Sequence, residues 1–467
     1  MASPRPSRPG KGGLFSQLQA QFAAEVARLA ELAAGSLGDR GGQGLAAVEL
    51  AIRTAMSKLG ASLLQDLLGL DTGHRGPRVD CGAGHQASFV AYRDKNLDTV
   101  LGPVTLGRAY YHCSDCGVGV VPKDNELGVA GASLSPGLRA MVARVGAAAP
   151  FAKASDLLTE LAGVELSTKR VERSAEADGT TLVAIGDAEA AAVLTGRLVP
   201  LGPAKPVAKL YVATGGTGVP TVPADTAGRA GKYPDGRART REVKLGVLFT
   251  QTSVDDTGHP VRDPGSSSYV ATLAPAPHFG SLVYAEARRR GCAQAGAVVV
   301  LGDGAPWIWN LASQHFPGAS QIVDLYHARE HCHALGALVA PALGQDGPGW
   351  LTERLAELDR GDVPALLAAG RILDLPDAKT REVDKALGYF VTNAERMRYA
   401  HFRELGHFVG SGAVEAGCKA VVGQRLKLSG MRWSVRGAAG IVTLRCQEAS
   451  DRWEEIWYRL DTQTSAT

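Results

Sequence analysis

Ala, Leu and Val recur at three- and four-residue spacing through 14–34 and 44–68, which predicts two amphipathic helices. The break at Gly35–Gly44 makes them an antiparallel pair, either a structural or oligomerisation hairpin or a DNA-contacting one. From Gly73 the pattern switches to Gly/Pro punctuation and β-type alternation, with strands expected at Ala87–Tyr92 and Val104–His112. Helical periodicity returns from Leu134 to Leu194, and Pro200, Pro203 and Pro206 mark a linker over 195–206. Beyond it the pattern reads as strands Val207–Thr214, Glu242–Thr250 and Ser267–Leu273. Helix Ser281–Arg290, strand Ala297–Asp303, helix Trp307–Phe316, strand Gln321–Tyr326 and helix His327–Ala340 follow. A largely helical stretch (347–405) precedes one more helix, Gly412–Val422. Three strands followed by alternating helices and strands predict an α/β domain: a mixed sheet covered by helices.

The expected organisation is a flexible tail (1–13), a helical hairpin (14–72) and a small β module (73–125). A helical region (126–194), the linker (195–206) and an α/β domain (207–467) complete it. The 467 residues, 45% hydrophobic and 21% charged, are ordinary for a globular protein and exclude wholesale disorder. Apolar runs such as Ala297–Leu301 fall far short of the ~20 residues that span a bilayer, and the Pro/Arg-rich start has no apolar signal stretch. No membrane association is expected. Seven cysteines, three of them within 81–116, make no disulfide framework. A reduced cytoplasm with a local metal site is the better fit.

Cys81-x3-His85 and Cys113-x2-Cys116 offer two ligand pairs separated by a hairpin-like segment. Tetrahedral zinc takes four N/S ligands, and pairs on two turns pinned by strands supply that geometry. Four protein ligands leave no open position, so the Zn²⁺ would be structural. His74 and His112 compete for the fourth place, and incidental cysteines in a small β domain are the plainer alternative.

Residues 151–171 have the rhythm of a helix-turn-helix. A first helix ends near Ala162, Gly163 supplies the turn, Ser167 caps a second helix and Val171 packs inward. Lys169, Arg170 and Arg173 would then face a major groove, unless the pair is a plain helical hairpin. The net charge of only +3 conceals two basic stretches. Residues 229–244 hold Arg229, Lys232, Arg237, Arg239, Arg241 and Lys244 against two acids. Residues 419–436 hold Lys419, Arg425, Lys427, Arg432 and Arg436 against none. Such stretches suit a phosphate backbone, with Trp433 either stacking on a base or sitting in the core; solvated basic loops are the alternative.

Asp303 ends a buried strand between Gly302 and Gly304, and Asp324 and His327 end another. Glu415 lies on a helix entered through Ser411-Gly412. Alone, each acid would be a cap or an ion-pair partner. Together, beside basic segments, they suit a divalent-metal site of nuclease type.

Six segments carry a resemblance: YVATGGTGVP (211–220), RTREVKLGVLFT (239–250), VLGDGAPWIWN (300–310), IVDLYHARE (322–330), GSGAVEAGCK (410–419) and GQRLKLSGMRW (423–433). With the Cys81/His85/Cys113/Cys116 region and Val104–Asp124, they resemble bacterial insertion-sequence transposases of the ISKra group, related to the Mutator-like branch of DDE transposases. The resemblance spans most of the chain from about residue 75. It implies an RNase H-like domain with a helical insertion (about 347–405) before the last acid, Mg²⁺-dependent DNA cleavage and strand transfer, and homo-oligomers on DNA. The implied partners are element terminal repeats and target DNA, and the implied location is the bacterial nucleoid. Asp303 matches the second acid of the triad and Glu415 the last. Asp324 and His327 match the Asp/Cys-x-x-His signature, with a positioning role. The family's first Asp, in Asp-Gly-Thr-Gly-Val-Pro, is Gly215 here, and Asp225 is a distant substitute. The chain is therefore expected to be a transposase impaired at Gly215. A non-catalytic DNA-binding protein, such as a repressor or a domesticated transposase, and a metal-dependent nuclease are the rivals.

Overall fold

The structure is a computed structural model describing residues 45–200, 202–203, 206–231, 233–236, 238–410 and 412–464, with scattered positions between 16 and 31. The expected tail and much of the first helix of the hairpin lie outside the described residues. The chain separates into two compact units, 1–175 with 457–467, and 176–456. That division falls inside a long helix, 168–194, rather than at the Pro-rich 195–206 segment.

In the first unit, α1 (Leu45–Gly69) lies on a four-stranded antiparallel sheet of β1 (Arg78–Asp80), β2 (Gln86–Thr99), β3 (Gly102–His112) and β4 (Gly119–Val120). Ala61, Leu64 and Leu68 of the helix pack on Leu97, Val104 and Leu106 of the strands. The short α2 (Pro122–Glu126) follows. Next come α3 (Pro136–Ala148), α4 (Phe151–Leu157) with a π-turn through Ala162, and α5 (Thr168–Leu194). Gly163 makes the turn between α4 and α5 at φ +70°, which a side chain would resist. Ser167 Oγ accepts from Arg170 N at 3.4 Å, capping α5, and Val171 joins Leu138, Val142, Leu158 and Leu166 in one core.

The second unit is built on a five-stranded mixed sheet of order β11-β10-β5-β6-β9. Its strands are β5 (Lys209–Pro220), β6 (Thr240–Gln251), β9 (Ser268–Thr272), β10 (Ala297–Gly302) and β11 (Ser320–Val323), with a two-stranded β7-β8 hairpin (Ser253–Val254, Pro260–Val261) to one side. β5, β10 and β11 run parallel, while β6 runs antiparallel to β5 and β9. Parallel strands need crossover connections, and α6 (Ala276–Arg289) and α7 (Pro306–His315) lie on those before β10 and β11. β5 runs six residues past the expected Thr214, because Gly215–Pro220 stay paired with β6. β11 stops early, at Val323, because Asp324 caps α8 (Leu325–Leu343). The insertion continues as α9 (Gly347–Arg360), α10 (Val363–Arg371), α11 (Asp377–Asn393) and α12 (Tyr399–Glu404); then come α13 (Gly412–Gly417) and α14 (Val435–Ala449). Within this unit α5 meets α14 backbone to backbone: a Cβ on Gly179 would sit 2.3 Å from Gly440 O. Among the described residues no helix is long and apolar enough to cross a membrane.

Candidate functional site

Two turns of the β module bring four ligand atoms together. Cys81 and His85 close the β1–β2 turn, where Cys81 N donates to His85 O at 3.1 Å and Gly82 and Gly84 take φ near +80°. Cys113 and Cys116 close the β3–β4 turn, with Cys113 N donating to Val118 O and Gly117 at φ +70°. One N or S atom from each of Cys81, His85, Cys113 and Cys116 lies within 4.8 Å of the others. Cys81 and Cys116 sulfurs are 3.7 Å apart. A hydrogen bond from the Ala83 backbone helps lower the Cys81 thiol to about 7, toward the thiolate that metals bind. The cluster could hold a metal ion such as zinc. His74 is not the fourth ligand, since its ring packs edge-on to Phe89 at 4.8 Å beside Tyr92 and Tyr111. His112 stands outside the cluster.

Asp303 and Asp324 follow the carboxyl ends of the parallel strands β10 and β11. Ala213 of β5 pairs with Leu301 of β10, and continuing that register by two residues brings Gly215 level with Asp303. α13 lies over this end: a Cβ on Gly215 would meet Val414 Cγ1 at 2.8 Å, and Glu415 is the next residue. Gly215 and Asp303 therefore share one end of the sheet with the helix that carries Glu415. Glu415 itself is 71% exposed and pairs with Lys419 at 2.7 Å. Asp324 is buried at the adjoining strand end and accepts from His327 N at 3.0 Å, a helix cap. His327 Nδ1 lies 3.2 Å from Glu330. Asp225 caps α14 by accepting from Val435 N at 2.8 Å.

One contributor has no signal in the sequence. Tyr389, on α11 of the insertion, donates its hydroxyl to Asp303 O at 3.0 Å and stacks on His331 at 3.6 Å. Gly304, at φ +98°, lies against the same ring; a Cβ there would be 2.6 Å from it. Asp303 Oδ1 accepts from Ala305 N at 2.9 Å. The turn after β10 is thus held from its own backbone and from the insertion. Burial, reinforced by His327, depresses the His331 pKa.

The basic residues divide. Lys427 donates to Thr217 Oγ1 on β5, and Arg432 and Arg436 are exposed. Arg239 is exposed and lies over the Tyr233 ring at 4.2 Å, while Arg241 donates to Asp225 O at 3.1 Å. Lys232 and Arg237 lie outside the described residues. Arg425 and Trp433, expected at a DNA surface, are in the core instead. Arg425 is fully buried with its guanidinium 4.8 Å above the Trp433 ring, and burial lowers its pKa to about 10. Trp433 Nε1 donates to Leu426 O, and its backbone bonds to Pro220 and Val222 beside β5. On α5, Lys169 and Arg173 face outward, Lys169 beside Glu172. Arg170 does not: it is anchored to Asp98 at 2.7 Å and to Ser133 Oγ at 3.2 Å.

No protein-family model matches this chain, and no curated protein matches it.

Proposed function

We propose that this protein is a DNA transposase of bacterial insertion-sequence type by descent, which binds DNA but has lost its cleavage step at Gly215. On this reading the second unit is an RNase H-like catalytic domain with a helical insertion. The first unit holds a structural Zn²⁺ on Cys81, His85, Cys113 and Cys116, and a helix-turn-helix that reads the element's terminal repeats. The observation that carries the reading is the pairing of β5 with β10 up to Ala213 and Leu301, two residues short of Gly215 and Asp303, with the Glu415 helix packed on Gly215. A strand-end carboxylate, a later helix carrying a second one and exposed cations elsewhere in the same unit are the parts phosphodiester chemistry draws on.

The residues present do not fit a two-Mg²⁺ site. Hard divalent cations need oxygen ligands. Gly215 offers no side-chain oxygen, the Glu415 carboxylate is held by Lys419, and Asp324 is spent as a cap. Val414 further narrows the space a carboxylate at 215 would need. What remains is DNA binding: Lys427, Arg432 and Arg239 toward phosphates, and Lys169 and Arg173 toward a groove.

The test uses DNA ends taken from the genomic flanks of the gene. The unaltered protein should bind these ends and leave them uncut in Mg²⁺. Gly215→Asp alone meets the stiff Val414 side chain, so the expected rescue is Gly215→Asp with Val414→Ala, abolished again by Asp303→Asn. Cleavage by the unaltered protein would show that the first acid lies elsewhere. Binding without rescue would favour a dedicated DNA-binding protein, and no binding to the ends would remove the reading.

A further inference from the structure

The amino end of β11, at the edge of the five-stranded sheet, borders a cleft of about 650 Å³ whose other side is the link between α11 and α12. Arg396 lines this cleft, half-buried, and is fixed by neutral groups alone. Its Nε donates to Gln321 Oε1 at 2.8 Å and its Nη1 to Thr392 O at 3.3 Å, while its guanidinium lies 4.7 Å above the Trp309 ring. Among the described residues no carboxylate pairs with it, and partial burial lowers its pKa. A planar fork held in place, partly out of water and without a counterion, favours an anion that supplies two oxygens. Arg398 and His401 line the same cleft, with Glu395 as the acid on its wall. Ser320 adds a hydroxyl that has no hydrogen-bond partner among the described residues. Opposite in character, Val391 and Leu405 are 49% and 46% exposed and form an apolar wall with Phe402.

We propose that this cleft binds a small organic phosphate of nucleotide size, with the phosphate on Arg396 and the base against Val391 and Leu405. Sites for small molecules occupy about 300–1,000 Å³ and combine apolar walls with a few placed polar groups. Inorganic phosphate would leave most of the cleft empty and the apolar wall uncovered. A phosphate monoester carries a charge of about −1.5 to −2 at neutral pH. Two arginines match that charge better than they match a single carboxylate, and Ser320 can donate to a third oxygen. The inference stands apart from the reading of Gly215 and Asp303, because the cleft lies at the other end of β11 from Asp324 and its occupant is not a DNA end.

Calorimetric titration of the full chain with the four ribonucleoside 5′-monophosphates should show one site per chain for at least one of them. The matching nucleoside and inorganic phosphate should each bind at least tenfold more weakly, since each keeps only one half of the contact. Arg396→Gln should weaken nucleotide binding at least tenfold, and Arg396→Lys, which keeps the charge but not the fork, should recover only part of that. The Glu395 side chain is 86% exposed and 3.6 Å from Arg398, so it can be changed without touching the core. Glu395→Gln releases Arg398 and should tighten binding by about threefold. Absence of binding by all four nucleotides would overturn the proposal. So would a nucleotide affinity unchanged by both Arg396→Gln and Glu395→Gln, or inorganic phosphate bound as tightly as the nucleotide. A tenfold loss of duplex DNA affinity in Arg396→Gln, with no nucleotide binding in the unaltered chain, would give the cleft to DNA instead.

Discussion

Glu286 shows how one side chain ties distant segments together. It is 4% exposed, and Arg452 grips both of its oxygens at 2.6 and 2.8 Å while Arg289 and Arg290 approach from the same helix. Burial alone would raise the carboxyl pKa, but the Arg452 hydrogen bonds and the surrounding cations overcome it and hold the group near 2, below its usual 4.5. A depressed folded pKa stabilises above the unfolded value and is lost as pH falls through the folded one. We therefore expect unfolding to become easier between about pH 4.5 and 2, followed by melting temperature against pH. Glu286→Gln should flatten that window and cost about 3–5 kcal/mol at neutral pH, because it leaves three cations facing an uncharged group. Adding Arg452→Met should recover part of the loss. Additive losses in denaturant titrations would contradict a coupled pair.

At the scale of elements, the helix pair about Gly163 and the β module each make a separable claim. Lys169 and Arg173 point outward, whereas Arg170 ties α5 to β2 through Asp98. Replacing Lys169 and Arg173 by Ala should weaken binding to terminal DNA by tenfold or more with little change in melting. Arg170→Ala should lower stability by about 1 kcal/mol, as expected for a partly exposed pair with a hydrogen bond. Equal effects of the three substitutions on DNA binding would exclude this division. For the β module, elemental analysis should find one zinc per chain. Cys113→Ala should abolish it and unfold the two turns, seen as loss of amide protection at 81–85 and 113–118. The reason is that binding such an ion supplies folding free energy to turns with little core of their own.

For the whole molecule, a net charge of +3 conceals exposed cations that the proposed DNA binding would use. Arg239, Lys427 and Arg432 are exposed cations of the second unit, two of them in the segment that follows α13. Each phosphate contact releases condensed counterions, so removing one should reduce the slope of log affinity against log salt by about 0.9 on duplex DNA. We expect Lys427→Ala with Arg432→Ala to lower that slope by nearly two on random and terminal DNA alike. Arg425→Ala should leave the slope unchanged and destabilise the fold, because that guanidinium lies inside. A slope unchanged by the first pair, measured by fluorescence anisotropy across salt, would move the DNA path elsewhere.

Features set by chemistry within a few residues were legible in the chain alone. They include the Gly163 turn, the Ser167 cap, Val171 facing inward, the strands around Asp303 and the four-ligand set. Each depends on backbone angles, caps or side-chain periodicity that neighbours dictate. There the sequence already named His85, and the fold removed its rival His74 by placing it among aromatic rings. Features that depend on which distant segments touch were not legible. Arginine and a tryptophan in a basic run read as a surface, since Arg is almost never fully buried; yet Arg425 and Trp433 stack in the core. Arg170 looks like its outward neighbours until β2 brings Asp98 beside it. Gly215 reads as a missing acid, but that Val414 crowds its place and that Tyr389 braces Asp303 across 86 residues follow only from packing. Local sequence specifies conformations worth fractions of a kcal/mol per residue. Burial, which chooses among the ways of stacking them, sums over contacts that have no neighbourhood in the chain.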